Sequence, residues 1–270
     1  MIKLIDLINL SGITLGHYKI HCATGTKTSP LEVFFEGKFE EWQGSQNQRN
    51  FQCDQILSLI HINKNKWLFA GIFSVHGFKE RKEGKRIKYY YTTKELAGLE
   101  HLVGRAVIKF DKTFRASYLV GKKHSDNLLV SEIRNQRMSV GDFPGYNSVL
   151  LSYRLLCTIV REELPSWKSA LCNVAGVYII ADTKTGKQYV GSAYGGDGIW
   201  HRWVRYTKDG HGGNKEIRDL LKIKGREYSS QFQFSVIEVC DLNSNNDYVI
   251  SRESHWKSVL LTREFGLNKN

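Results

Sequence analysis

The chain has 270 residues, 41% of them hydrophobic and 24% charged, with a net charge of +12 and five cysteines. That length admits one large domain or two modest ones, each with its own core. No apolar run is long enough to cross a bilayer, and the opening MIKLIDLINLSG has no basic segment leading into a long apolar stretch; these features exclude a membrane span and a signal peptide from the reading, and a cytoplasmic protein is expected.

Cys22, Cys53, Cys157, Cys172 and Cys240 are odd in number, widely spaced and without a CxxC pair. They read as free thiols in a reducing compartment rather than as a disulfide framework or a zinc site. A sequence pI near 9.4 points to a polyanionic partner. The charge is uneven. Residues 1–170 hold 25 Lys and Arg against 16 Asp and Glu, so +9 of the +12 falls there. The densest run is KERKEGKRIK at 79–88, which a solvated loop would also explain.

In chain order, a helix is expected over 2–10, then short strands at 17–23, 67–75, 87–93, 101–110, 115–120 and 127–133. Many short strands with few long helices favour a compact, curved, barrel-like sheet. VLLSYRLLCTIVREEL (149–164) sets Val149, Tyr153, Leu156 and Val160 at helical spacing, and Pro165 stops that helix. A linker is expected around 161–173, separating a β-rich domain, 1–165, from a second domain, 174–270.

The second domain reads β-β-α-α-β-α. Strands at 174–181 and 187–192 flank the turn DTKTG, and helices follow at 198–208 and 214–225. Asn214 is the expected N-cap of the later helix and Gly225 its stop. A third strand at 232–240 and a last helix at 247–261 complete it. In the first helix Trp200, Trp203 and Val204 form the expected buried seam, with Arg202 and Tyr206 nearly opposite. A surface arginine stacked on a surface tyrosine would account for that pair. In the last helix Val249, Glu253, Trp256 and Leu260 follow an inward stripe, which sets a carboxylate among apolar neighbours. Such a group needs a partner: a structural salt bridge to an arginine, or a hard metal ion.

Gly176-Val177-Tyr178 and Tyr189-Val190-Gly191 stand on the two strands of the hairpin, with Arg202 thirteen residues after the second tyrosine and Glu253 on the last helix. Together they resemble the signature of the GIY-YIG nuclease superfamily, with valine in place of each isoleucine, over about 174–270. The surrounding YVGSAYGGDGIWHRWVRYTKDGHGGN resembles the restriction-enzyme-like and bacterial branch.

The resemblance implies an α+β fold, here a three-stranded antiparallel sheet flanked by helices, and metal-dependent hydrolysis of phosphodiester bonds. Tyr178 and Tyr189 match the tyrosines that flank the scissile phosphate and attacking water, Arg202 the phosphate-neutralising arginine, and Glu253 the ligand of Mg²⁺ or Mn²⁺. Tyr206 matches the His or Tyr one turn after that arginine, Asn268 a late polar residue, and His211 is a further candidate although its neighbouring glycines would also mark a loop. A phenol has a pKa near 10, so Tyr178 is a poor base unless nearby cations depress it; Arg202 and the metal are placed to do so, and Tyr178 is assigned as base or water-positioner.

The N-terminal part loosely resembles the PUA, SRA and EVE-like barrels that bind flipped, modified bases. Trp42, Tyr89, Tyr90, Tyr91 and Phe143 are candidates for a stacking platform, and core packing would account for each as well. The expectation is an endonuclease of the restriction or defence type acting on double-stranded DNA, with modified bases as its target and a transient homodimer for double-strand cleavage. A repair or mobile-element nuclease and a non-catalytic DNA-binding module are the alternatives.

Overall fold

The computed structural model describes residues 1–270 apart from 26, 27, 85, 197 and 270. The chain divides into two compact units, Met1–Ser139 and Val140–Asn270. The boundary therefore lies upstream of the expected 161–173. Most of that segment is helix, Pro165–Cys172, and its Trp167 and Leu171 lie in the core of the second unit. An isolated linker would leave those two side chains in water, and burying each is worth about 2 kcal/mol.

The first unit begins with helix α1 (Leu4–Leu10), as expected, and then strand β1 (Tyr18–Ala23). Two short helices follow, α2 (Pro30–Phe35) and α3 (Phe39–Gly44). Ser29 caps α2 by accepting from the Glu32 amide, with Pro30 at its first turn. Strands β2 (Ser45–Gln46), β3 (Gln55–Asn63), β4 (Lys66–Glu83), β5 (Arg86–Glu95), β6 (Ala106–Lys109) and β7 (Tyr118–Val120) come next. Helix α4 (Gly121–His124) and strand β8 (Leu129–Ile133) complete the unit.

These strands form one mixed sheet in the order β2-β5-β4-β3-β1-β7, with β6 on β4 and β8 on β6. Among the described residues its two ends do not pair, so the expected barrel is an open sheet. Of the run 79–88, which a solvated loop would have explained, Lys79–Glu83 and Arg86–Lys88 are paired strand near the turn of the β4–β5 hairpin. β3 and the first half of β4 are apolar on both faces and buried, which places the core of this unit around them.

His21 on β1 is 3% exposed and stacks on Tyr118 at 5.2 Å. Its Nδ1 lies 3.1 Å from Gln43 Oε1, which also accepts from Ser58 Oγ at 2.7 Å. Burial lowers its pKa from 6.5 to about 4. A depressed folded pKa means stability present above pH 6.5 and lost as pH falls toward 4, by about 3 kcal/mol. Urea unfolding of the wild type is expected to weaken across that window, and His21→Gln to flatten the dependence.

The second unit contains β9 (Leu151–Ser152), α5 (Tyr153–Arg161), α6 (Pro165–Cys172), β10 (Val174–Asp182) and β11 (Gln188–Ala193). It continues with α7 (Gly198–Asp209), α8 (Lys215–Lys224), β12 (Phe232–Asp241) and α9 (Asn246–Val259). Its antiparallel sheet has the order β11-β10-β12-β9, four strands rather than three. The fourth arises because Ser152 accepts from the Leu155 amide and starts α5 there, which frees residues 151–152 to pair with β12. From β10 onward the order is the expected β-β-α-α-β-α, with Asn214 capping α8 and Gly225 ending it.

None of the five cysteines is in a disulfide. No helix among the described residues is long and apolar enough to cross a membrane.

Candidate active site

Tyr178 pairs with Gly191 and Ile180 with Tyr189, so both tyrosines project from one face of the β10–β11 hairpin. A Cβ on Gly191 would come within 2.6 Å of the Tyr178 phenol and 2.8 Å of the Tyr189 ring. Gly176 has φ +157° and would drive a Cβ to 2.2 Å from the Glu238 carbonyl. The two glycines beside the two tyrosines thus let the phenols share one face and let β12 close on β10.

α7 crosses this face. Its buried seam is Ile199, Trp200, Trp203 and Tyr206, while Val204 is only half-buried. Tyr206 was expected on the exposed side, but positions 199, 203 and 206 follow steps of four and three, and Ile199 anchors that stripe. Arg202 is half-buried at the seam's border. Its Nε donates to the Tyr178 hydroxyl at 3.0 Å, and that hydroxyl is 3.1 Å from the Tyr206 hydroxyl. The guanidinium also lies 5.8 Å from the Tyr206 ring centre.

Burial pushes the Tyr178 phenol well above its ordinary range, and the neighbouring Tyr189 adds to that, against the opposing effect of Arg202. Tyr189 and Tyr206 are likewise raised, chiefly by burial. Burial works against the Arg202 charge, but the surrounding phenols, Tyr178 first, outweigh it and hold the guanidinium protonated. Arg202 alone therefore does not supply the depression that would make Tyr178 a base. Desolvation wins over the nearby cation, and Tyr178 stands as a neutral phenol that aims Arg202.

A cleft of about 730 Å³ opens against this group. Tyr189, Ser192, His201, Arg202, Arg205 and Glu253 are among its walls. Glu253 on α9 has a side chain 15% exposed, its Oε1 2.7 Å from the nearly buried ammonium of Lys257, and its Oε2 accepts from Ser192 Oγ. The carboxylate thus has an ion pair, with a lysine one turn on. Because Lys257 neutralises Glu253, Arg202 and Arg205 leave the cleft cationic and suited to an anion.

Two expected residues lie elsewhere. His211 shapes the loop after α7: its Nδ1 accepts from the Gly213 amide at 2.9 Å, and its backbone amide donates to Asp209. Asn268 is fully buried against the edge of β11, where Oδ1 accepts from the Val190 amide at 2.8 Å and Nδ2 donates to the Val190 carbonyl at 2.9 Å. That amide closes an otherwise open strand edge. Both side chains are occupied by backbone, which explains their absence from the cleft walls.

His201, Arg205, Ser192 and Lys257 were missed. Gly198, His201, Arg202 and Arg205 recur at i, i+3, i+4 and i+7, a polar helical face that the sequence displays and that lines the cleft. Lys257 is four residues after Glu253, the spacing of an intrahelical ion pair.

No family model matches this chain, and no curated protein matches it. Among solved structures it is similar to the catalytic domain of the homing endonuclease I-TevI. The likeness has 28% identity and a TM-score of 0.29, covering 35% of this chain and 96% of that one. A substituted form of the same intron endonuclease domain gives 26% identity and a TM-score of 0.30, over 36% of this chain and 94% of that one.

If Tyr178 aims Arg202 and transfers no proton, Tyr178→Phe lowers any hydrolytic rate by on the order of ten- to a hundredfold and leaves the shape of the pH–rate profile between about pH 6 and 9 unchanged. A lost ionisation limb in the variant would return Tyr178 to the role of base.

Proposed function

We propose that this protein is a metal-dependent DNA endonuclease of the GIY-YIG type. The observation that carries the reading is Arg202, held by the Tyr178 hydroxyl at 3.0 Å in a cationic cleft that also contains Glu253. Arg202 forks two donors onto the oxygens of a phosphodiester and offsets charge as it develops. Tyr189, on the wall of the same cleft, orients phosphate or water through its hydroxyl. Proton transfer from the attacking water falls to His201, the imidazole of the cleft wall, rather than to a phenol that burial keeps protonated.

Glu253 is the carboxylate that would hold a divalent ion, which would have to share it with the Lys257 ammonium on Oε1 and the Ser192 hydroxyl on Oε2. Among the described residues no group of three or more His, Cys, Asp or Glu gathers for a metal. Mg²⁺ is commonly held by one or two carboxylates together with substrate phosphate and water, and Glu253 with the Ser192 hydroxyl supplies such a partial set. When bound, Mg²⁺ or Mn²⁺ supplies positive charge against the developing oxyanion.

One such centre per chain cuts one strand, so a double-strand cut takes a transient dimer or two successive nicks. Phosphate contacts position without reading bases, and we assign target choice to the first unit, in keeping with a restriction-type enzyme. Selectivity for a modified base was tied to a closed barrel. With the sheet open, base modification becomes one arm of the test. The purified chain is incubated with Mg²⁺ and matched unmodified, methylated, hydroxymethylated and glucosylated DNAs. Metal-dependent cleavage of any of them supports the nuclease, and preference among them reveals modification dependence. Equal cleavage of branched or damaged DNA without sequence preference favours a repair enzyme, and binding without cleavage under every condition overturns the nuclease reading.

A further inference from the structure

The distal half of the β4–β5 hairpin leaves the core of the first unit. Residues 76–83 of β4 are exposed, whereas 67–73 are buried. The β4–β5 register shifts between Val75 and Gly77, a bulge that re-aims the ribbon at the point where burial ends. Beyond it Lys79 faces Tyr90, Arg81 faces Lys88 and Glu83 faces Arg86. Directly paired residues share a face, so Lys79, Arg81, Arg86 and Lys88 stand together with Tyr90 and one carboxylate. That carboxylate, Glu83, is held by Lys88 at 2.8 Å and by the Tyr90 hydroxyl. Arg81 lies 5.2 Å from the Tyr90 ring centre. The opposite face is engaged at its base: Arg49 lies over Phe78 and Tyr89 and pairs with Glu80 at 2.6 Å.

Arg81 directly across from Lys88 is a like-charged pair, which costs stability in the free ribbon and is relieved by a polyanion. We propose that this cationic face of the hairpin enters the major groove of duplex DNA, with Arg81, Arg86 and the two lysines on phosphates and base edges. The seven residues from Gly77 to Glu83 span about 23 Å, and a major groove about 12 Å wide admits a two-stranded ribbon. The proposal rests on the reading of the protein as a DNA enzyme, and it names the surface through which the first unit engages the duplex.

The test uses the full chain in EDTA and a labelled duplex of about 20 base pairs, with affinity followed against salt. The variant Lys79→Gln/Arg81→Gln/Arg86→Gln/Lys88→Gln is compared with a control of equal net charge, Lys122→Gln/Lys123→Gln/Lys222→Gln/Lys224→Gln, whose sites are all exposed. The hairpin variant is expected to lose about three from the slope of log K against log salt, and at least about tenfold in affinity near physiological salt. The control changes far less. Wild-type protein protects guanine N7, the major-groove edge, from methylation, and the hairpin variant does not.

Equal losses in both variants, an unchanged slope, or protection confined to adenine N3 of the minor groove overturns the proposal. So does equal hairpin-dependent binding to duplex RNA, whose deep, narrow major groove does not admit a ribbon. Cleavage with Mg²⁺ is scored separately. A chain that cuts DNA but binds it independently of the hairpin sinks only this proposal. Hairpin-dependent binding with no cleavage on any DNA sinks only the nuclease reading.

Discussion

Arg202→Ala is expected to reduce phosphodiester cleavage by about 10³-fold or more, equivalent to about 4 kcal/mol of barrier. The guanidinium is the charged group that Tyr178 fixes at the cleft, and its preorganisation is what a transition state gaining negative charge would use. The fold should survive. Arg202 is half-buried beside the apolar seam of α7 rather than within it, and the Tyr178 and Tyr206 hydroxyls keep each other as partners. The loss of folding stability should be about 1 kcal/mol. Arg202→Lys keeps a charge but loses the planar fork, and should recover only part of the rate. Single-turnover cleavage with DNA affinity measured in parallel separates catalysis from binding, and a variant with more than about a tenth of wild-type activity would remove Arg202 from the chemistry.

Glu253→Gln should abolish divalent-dependent cleavage and also weaken the fold. The amide is nearly isosteric but offers a hard cation no negative charge. It also removes the counter-charge of Lys257, whose side chain is only 5% exposed. Removing one partner of so enclosed a pair costs roughly 3 kcal/mol. The two effects part company in Glu253→Gln/Lys257→Met. That double variant should recover most of the stability in urea unfolding without recovering cleavage or the dependence on Mg²⁺. Recovery of cleavage along with stability would make Glu253 a structural residue and put the metal ligand elsewhere.

The second unit was far more legible in the sequence than the first. Its hairpin has a compact turn in which Asp182 accepts from the Lys184 amide and the Thr185 hydroxyl, so periodicity and turn chemistry agree locally. Tyr178 and Tyr189 share a face because the hairpin's period of two was readable, whereas the buried faces of α7 and α9 were misassigned at Tyr206 and Lys257. The proton state of Tyr178 was not readable, because it depends on how completely α7 and the sheet exclude water from it.

Asn268 and His211 lie off the cleft walls for a related reason. A polar side chain in a sequence does not disclose whether backbone will claim it, and here the β11 edge and the α7 loop do. In the first unit, short apolar runs such as 55–63 carry no alternation, since both faces of that strand are buried, and it went unassigned. Sheet closure is set by long-range pairing, which local pattern does not encode. Among the aromatic candidates, Tyr91 is core, Trp42 packs beside His21, and Phe143 belongs to the second unit against Tyr146 and Trp167. Tyr89 and Tyr90 are half-buried on the basic hairpin.

The most direct test of the central claim is whether the full chain converts supercoiled plasmid to nicked or linear DNA. The account predicts conversion with Mg²⁺ or Mn²⁺, none with EDTA, and none with Arg202→Ala under conditions where that variant still binds the plasmid. Conversion that persists in EDTA or in Arg202→Ala would contradict it.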